Sequence, residues 1–155
     1  MRFTAVGLLA GVLFCTRIAW AAPDQESSEP QVSKERQKMT ETAEKAYEAS
    51  MAMWGVGAGG VTLEAVYTWS RRWAEAEADG VGPEARRKAY AAHLLRMRKI
   101  REMVGIKHDQ AVAGGEEDKF QAARYYLAEA EYWLAKIDSA AASSQKQSRD
   151  KKAGP

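Results

Sequence analysis

Two histidines, His93 and His108, are the residues of this 155-residue chain best suited to bind a metal ion. They lie 15 positions apart in a segment with helical periodicity, and an unbroken helix would separate them by more than about 20 Å. At that distance they cannot share an ion within one subunit. The Glu-x-x-His spacing of carboxylate metal sites in helical bundles is also missing from the sequence. We therefore predict no metal site, and we expect His108 to pair with Asp109 at the surface.

Four glutamates form two pairs whose carboxylates would suit acid–base catalysis if packed helices brought them together. The pairs are Glu75 with Glu77 and Glu129 with Glu131. Because the members of each pair are two residues apart, they point to different sides of a helix. We expect these acids to form solvated or inter-helix salt bridges. Since the sequence shows no nucleophile with its base and no phosphate loop, we predict that the protein is not an enzyme.

The segment from Gly55 to Gly60 matches the pattern G-x-G-x-x-G of dinucleotide-binding loops. Such a loop requires a strand before it and, after it, a helix whose N-terminus holds the phosphates. Here the preceding residues have helical periodicity, so we predict a hinge or a helix cap. We expect no cofactor.

A repeat in the sequence indicates which elements position these residues. Residues 63–77 return as residues 117–131 at a constant offset of 54, and Gly60 falls on Gly114 at the same offset. Such a period is typical of duplicated helical hairpins. β-Branched residues are too sparse to supply strands. The sequence therefore predicts an all-α fold of four helices in two antiparallel hairpins, either packed as a bundle or extended as a coiled coil.

Apolar residues at helical spacing predict the interior face of each helix. On the first helix, from near Ser33 to Trp54, this face comprises Met39, Ala43, Ala46, Ser50 and Met53, widened by Tyr47 and Trp54. On the second helix, for which Thr62 is the predicted N-cap, it comprises Val66, Trp69, Trp73 and Ala76. On the third helix, after Pro83, it comprises Tyr90, His93 or Leu94, Met97, Ile100 and Val104. On the fourth helix it comprises Phe120, Ala123, Leu127, Ala130, Leu134 and Ile137.

The first 21 residues have the basic start, apolar stretch and small-x-small end of a cleaved signal peptide. We predict cleavage after Ala21 and export to the periplasm or cell envelope, with an uncleaved membrane anchor as the alternative. Removal of Arg2 and Arg17 leaves 21 basic and 21 acidic residues, so nucleic-acid binding is not expected. Contact with a membrane surface is possible but not indicated. The predicted boundaries are 1–21 for the signal, 22–32 for a disordered leader, 33–138 for the helical repeats and 139–155 for a disordered tail.

Each repeat resembles the periplasmic coiled-coil repeats of the TolC-type outer-membrane efflux family. Gly60 precedes Glu64-Ala65-Val66, and Gly114 precedes Asp118-Lys119-Phe120, each followed by a helix rich in Ala and Glu. The resemblance covers roughly residues 47–138. It implies the coiled-coil fold of that family without its membrane channel. The chain is also similar to small exported helical bacterial proteins of unassigned role, which implies no activity.

Aromatic side chains are more numerous in the two repeats than a small core requires. Because tyrosine and tryptophan are enriched in protein interfaces, we predict an interaction face comprising Trp69, Trp73, Tyr125, Tyr126 and Trp133. This face would bind an envelope protein or a second copy of the chain, and we expect a homo-oligomer. The alternative is a periplasmic carrier, in which the same aromatics line a pocket for a small apolar or lipid-like ligand.

Overall fold

The computed structural model describes residues 28–110 and 116–152, and the predicted signal peptide lies outside them. These residues form four α-helices and no strand, which confirms the predicted all-α class. The helices are α1 (Ser28–Gly55), α2 (Leu63–Ala78), α3 (Pro83–Gln110) and α4 (Glu117–Lys152). No helix within the described residues is both long and apolar enough to cross a membrane.

Helices that follow one another along the chain pack together, and α2 also packs against α4. The start of α1 lies beside the end of α2, where Arg36 Nη1 donates to the Asp79 carbonyl at 3.0 Å. Arg87, near the start of α3, pairs with Asp138 far along α4 at 2.7 Å between Nε and Oδ1. Thus α2 contacts each of the other three helices, whereas α1 packs mainly against α2.

The turn between α1 and α2 depends on glycine and on one capping threonine. Gly57, Gly59 and Gly60 have φ angles of 69°, 71° and 66°, a left-handed conformation that glycine adopts without steric cost. Thr62 Oγ1 accepts a hydrogen bond from the Ala65 N–H at 3.2 Å, which satisfies one of the free donors at the start of α2. This confirms the predicted N-cap. The glycine-rich segment follows a helix, so it lacks the strand that a dinucleotide-binding loop requires.

The core is built from the inner faces of all four helices. The predicted interior face of α3 is confirmed for His93, Leu94, Met97, Ile100 and Val104, all of which are buried, while Tyr90 is half-buried. On α4, Ala123 and Ala130 are buried, whereas Phe120, Leu127, Leu134 and Ile137 are half-buried. Full burial of a large apolar side chain, such as that of Met97 or Ile100, stabilises the fold by roughly 1.5–3 kcal/mol.

The interior face of α1 differs from the prediction. Ala43, Tyr47 and Trp54 are buried, but Met39 and Met53 are exposed. The two aromatic side chains remove more apolar area from water than the two methionines would. The helix is therefore turned so that its aromatic side faces α2, and its methionine side is left at the surface.

The interior face of α2 was predicted only in part. Val66 and Ala76 are buried, as predicted, but Trp69 and Trp73 are only half-buried. Tyr67 and Ser70 are buried in addition. Because α2 has neighbours on several sides, its buried surface is wider than a single apolar stripe.

Both ends of the helical region extend past the predicted limits. Within the leader and tail that were predicted to be disordered, α1 already begins at Ser28 and α4 continues to Lys152. In the extension of α4, the Ser143 and Ser148 hydroxyls donate to the carbonyls of Ser139 and Ser144, each at 3.0 Å. Alanine, glutamine and lysine, which make up much of the rest, have high helix propensity. The helix thus continues without a large apolar side chain.

Candidate functional site

The five residues of the predicted interaction face lie on different sides of α2. Trp69 lines a groove between α1 and α2. Trp73 packs under the guanidinium of Arg96 on α3, 4.0 Å from its ring centre. On α4, Tyr126 stacks on Tyr67 with ring centroids 4.2 Å apart, and Tyr125 is exposed beside Tyr126. Trp133 lines a groove between α3 and α4. The structure therefore does not bring the five together in one continuous face.

An apolar surface that the sequence did not predict lies along α1 and the adjoining edge of α2. Val32, Met39 and Met53 are 63%, 59% and 41% exposed. Together with half-buried Ala46, they recur every seven residues along α1. Trp69 borders Met39 in a groove of about 690 Å³. We call this set of five residues the α1–α2 face.

Charged residues of both signs border the α1–α2 face. Glu35 and Lys38 on α1, and Arg72, Glu75 and Asp79 on α2, line its groove. The Arg72 guanidinium lies 4.9 Å from the centre of the Trp69 ring, a cation–π contact that holds the tryptophan at the groove edge. The face thus has an apolar centre and a mixed-charge rim.

A buried polar network joins α2 to α3. Ser70 and His93 are 0% and 1% exposed, and Ser70 Oγ lies 2.8 Å from His93 Nδ1. Arg96 donates to Ser70 twice, from Nε to Oγ at 2.8 Å and from Nη2 to the carbonyl at 3.2 Å. Burial, reinforced by the positive charges of Arg96 and Arg71, lowers the pKa of His93 to about 4. His93 is therefore neutral at neutral pH, when its ring can hydrogen-bond to Ser70 without a buried charge.

A serine beside a neutral histidine has the composition of a nucleophile with its base. Here both side chains are almost completely buried, so the Ser70 hydroxyl is not exposed to solvent. The third member of the network is the cation Arg96, which donates to the serine. A catalytic triad has instead an acid on the far side of the histidine. This arrangement supports packing of α2 on α3 rather than catalysis. The apolar spacing predicted a buried His93, but it did not predict the roles of Ser70 and Arg96. The partners of these two residues lie on another helix.

The repeated glutamates are held by different partners. Arg71 Nε pairs with Glu75 at 2.8 Å, and Arg98 lies 4.0 Å from Glu131. Glu129 instead accepts a hydrogen bond from the Tyr67 hydroxyl. Burial, together with this bond, raises the pKa of Tyr67 to about 12. Glu77 lines a groove between α1, α2 and α3. These carboxylates are distributed among structural contacts rather than gathered at one site.

His108 joins the end of α3 to the start of α4. Its Nε2 lies 2.8 Å from a Glu117 oxygen, closer than the 3.4 Å between Nδ1 and the expected partner Asp109. The ring also stacks on Phe120 with centroids 4.6 Å apart. The hydrogen bond to Glu117, followed by that to Asp109, raises the pKa of His108. Within residues 28–110 and 116–152, no cluster of three or more His, Cys, Asp and Glu side chains has metal-binding geometry.

A second groove lies where the first half of α3 meets the second half of α4. It has a volume of about 770 Å³. Its apolar wall comprises Val81, Pro83, Tyr90, Trp133, Ile137, Ala140 and Ala141, and its charged lining residues are Arg86 and Lys136. We call it the α3–α4 groove. Both charged residues that line this groove are basic, whereas the rim of the α1–α2 face carries both acidic and basic residues.

In comparisons with known proteins, no family, no curated protein and no solved structure matches this chain. The likeness of its repeats to the TolC-type family therefore stays a prediction from the sequence.

Proposed function

We propose that this protein is an exported, non-enzymatic helical interaction module of the bacterial cell envelope that self-associates through its α1–α2 face. Export follows from the signal pattern of residues 1–21. The single observation that carries self-association is the row of exposed apolar side chains Val32, Met39 and Met53 along α1, where Met39 lines a groove together with Trp69. Contiguous exposed apolar surface on a small protein marks a site of interaction.

The spacing of this row indicates a helical occupant. Residues Val32, Met39, Ala46 and Met53 recur every seven positions, and a seven-residue repeat is the pattern that keeps one helix facing another along a shared supercoil. Furthermore, α1 packs mainly against α2, so among residues 28–110 and 116–152 the methionine side of α1 has no second layer. A second α1–α2 pair laid across it would complete a four-helix layer.

The α1–α2 face is long enough to hold a second helix. From Val32 to Met53, α1 extends about 33 Å. On α2 only Trp69 belongs to the face, because α2 packs against the other three helices. A dimer would therefore form mainly along α1.

The charges around the face favour a second copy over a partner of one sign. Its rim carries three acidic residues, Glu35, Glu75 and Asp79, and two basic residues, Lys38 and Arg72. In a two-fold dimer the same patch meets itself, so opposite charges must be present on one surface to pair across the axis. A strongly acidic or basic partner would instead meet like charge at part of this rim.

Sedimentation velocity of the purified protein tests this proposal. The wild type should sediment as a dimer, and Met39→Lys combined with Met53→Lys should weaken the dimer at least about tenfold, because two charges would be desolvated in the interface. Leu95→Lys combined with Ile106→Lys is the matched control, since Leu95 and Ile106 are also exposed apolar residues but lie on α3. Far-UV circular dichroism should show unchanged helicity in both variants.

Several results would overturn self-association. A monomeric wild type, or a control variant that weakens the dimer as much as the α1 variant does, would be sufficient. A photo-crosslinker at Met39 in cells distinguishes the partner: a crosslink to the same chain supports the proposal, whereas a crosslink to another envelope protein alone contradicts it. Export is tested by N-terminal sequencing of periplasmic protein, which should begin at Ala22. An intact N-terminus would contradict cleavage.

A further inference from the structure

We propose that the α3–α4 groove binds a free amphipathic anion, a single hydrocarbon chain with one anionic head. The inference does not depend on self-association, because the groove and the α1–α2 face are lined by different residues. It names a ligand class for the alternative function predicted from the sequence, a carrier of small apolar or lipid-like ligands.

The apolar part of the groove suits a hydrocarbon chain. Tyr90 and Trp133 form its aromatic wall, and Val81, Ile137 and Ala140 extend the apolar lining along it. The volume of about 770 Å³ falls within the range of roughly 300–1,000 Å³ found for small-molecule sites. Polar lining is confined to a few residues, as expected for a site in which burial of apolar surface provides most of the affinity.

The charge of the groove selects the sign of the head group. Arg86 and Lys136 line it, and no carboxylate of the part of the chain that the structure describes does, although acids and bases are nearly balanced in the sequence. Within the described residues neither cation forms a salt bridge, whereas neighbouring Arg87 is neutralised by Asp138. An anion in the groove would therefore meet two positive charges without displacing an acidic partner.

The start of α3 adds to the positive charge of Arg86. The helix begins at Pro83, which lines the groove, and the N-terminus of a helix carries a partial positive charge. Arg86 in the first turn lies beside it. The head group of the ligand would thus lie near Pro83 and Arg86, and its chain would run along Trp133 and Ile137.

Dodecanoate is a suitable probe, because it has one chain and one carboxylate. We expect saturable binding by calorimetry and a change in tryptophan fluorescence that Trp133→Phe abolishes. Dodecanol and dodecyltrimethylammonium have the same chain with a neutral or cationic head, and both should bind more weakly. Equal affinity for all three would show that charge plays no part and would overturn the proposal.

Arg86→Gln combined with Lys136→Gln should weaken dodecanoate binding roughly tenfold, as expected for loss of two partly exposed charge interactions. Lys45→Gln combined with Lys99→Gln is the control, because it removes the same net charge from exposed sites on α1 and α3 outside the groove. An equal loss of affinity in the control would show that only the overall charge of the protein matters. It would overturn the proposal of a specific site.

Ala140→Trp provides a second test, because it fills the groove at an exposed position outside the core. It should abolish binding while the helical signal stays unchanged. Absence of dodecanoate binding by the wild type, or binding only to vesicles of anionic phospholipid, would refute the inference. The Met39→Lys, Met53→Lys variant should still bind dodecanoate, so failure of the dimer and failure of the groove can be told apart.

Discussion

Acidification should destabilise this protein through His93. Burial and the nearby arginines lower the pKa of His93 from 6.5 to about 4 in the folded state, whereas the unfolded chain takes up this proton near pH 6.5. Between those two pH values the unfolded state binds more protons than the folded state. The free energy of unfolding therefore falls as the pH falls. The gap between the two pKa values corresponds to a loss of about 3 kcal/mol.

The assay is urea unfolding followed by tryptophan fluorescence at several pH values between about 7 and about 4.5. His93→Asn keeps a polar group near the position of Nδ1, 2.8 Å from Ser70 Oγ in the native protein, but it does not titrate. We expect it to be less stable at neutral pH, since its smaller side chain leaves a cavity. Its stability should nevertheless change much less with pH than that of the wild type.

His108→Asn is the control, because the pKa of His108 is raised by Glu117 in the folded state. A raised pKa means that the folded state binds the proton more tightly, so this histidine stabilises the fold below its unfolded pKa. That contribution is lost as the pH rises through the folded pKa. Acid should therefore increase the difference between the control and the wild type. Parallel pH profiles for the wild type and His93→Asn would refute the reasoning about His93.

Three further substitutions test the fold by urea unfolding at neutral pH. Thr62→Ala should cost about 1 kcal/mol, because it removes the hydroxyl that accepts from the start of α2; an unchanged midpoint would contradict the cap. Gly60→Ala should be less stable than Gly82→Ala by roughly 1–2 kcal/mol, because both sites have open space but only Gly60 has a positive φ; equal stabilities would contradict the strain. Met97→Ala should cost about 2–5 kcal/mol, whereas Leu95→Ala, at an exposed position, should change stability by less than about 0.5 kcal/mol.

Features that depend on neighbouring residues in the sequence were predicted well. The cap at Thr62 and the start of α3 at Pro83 follow from the local preferences of those residues. The interior face of α3 follows from its apolar spacing. In each case the physical cause lies within one or two helical turns.

Features that depend on which helices meet could not be predicted in the same way. On α1 two apolar sides lie next to each other, and only the packing against α2 decides that Tyr47 turns inward while Met39 stays exposed. Arg96 has the sequence character of a surface residue, yet its partner Ser70 is 26 positions away. The predicted aromatic face was divided for the same reason, because Trp69 lies in a groove with α1 and Trp133 lies in a groove with α3.

The central position of α2 makes the two copies of the repeat unequal in mutational tolerance. Ala74 on α2 is buried, whereas Ala128, its counterpart 54 positions later on α4, is exposed. A larger side chain would overpack the core at the first position and would extend into solvent at the second. Under random substitution with selection for folded protein, α4 would accumulate changes faster than α2. The likeness between the copies would therefore fade mainly through drift in α4.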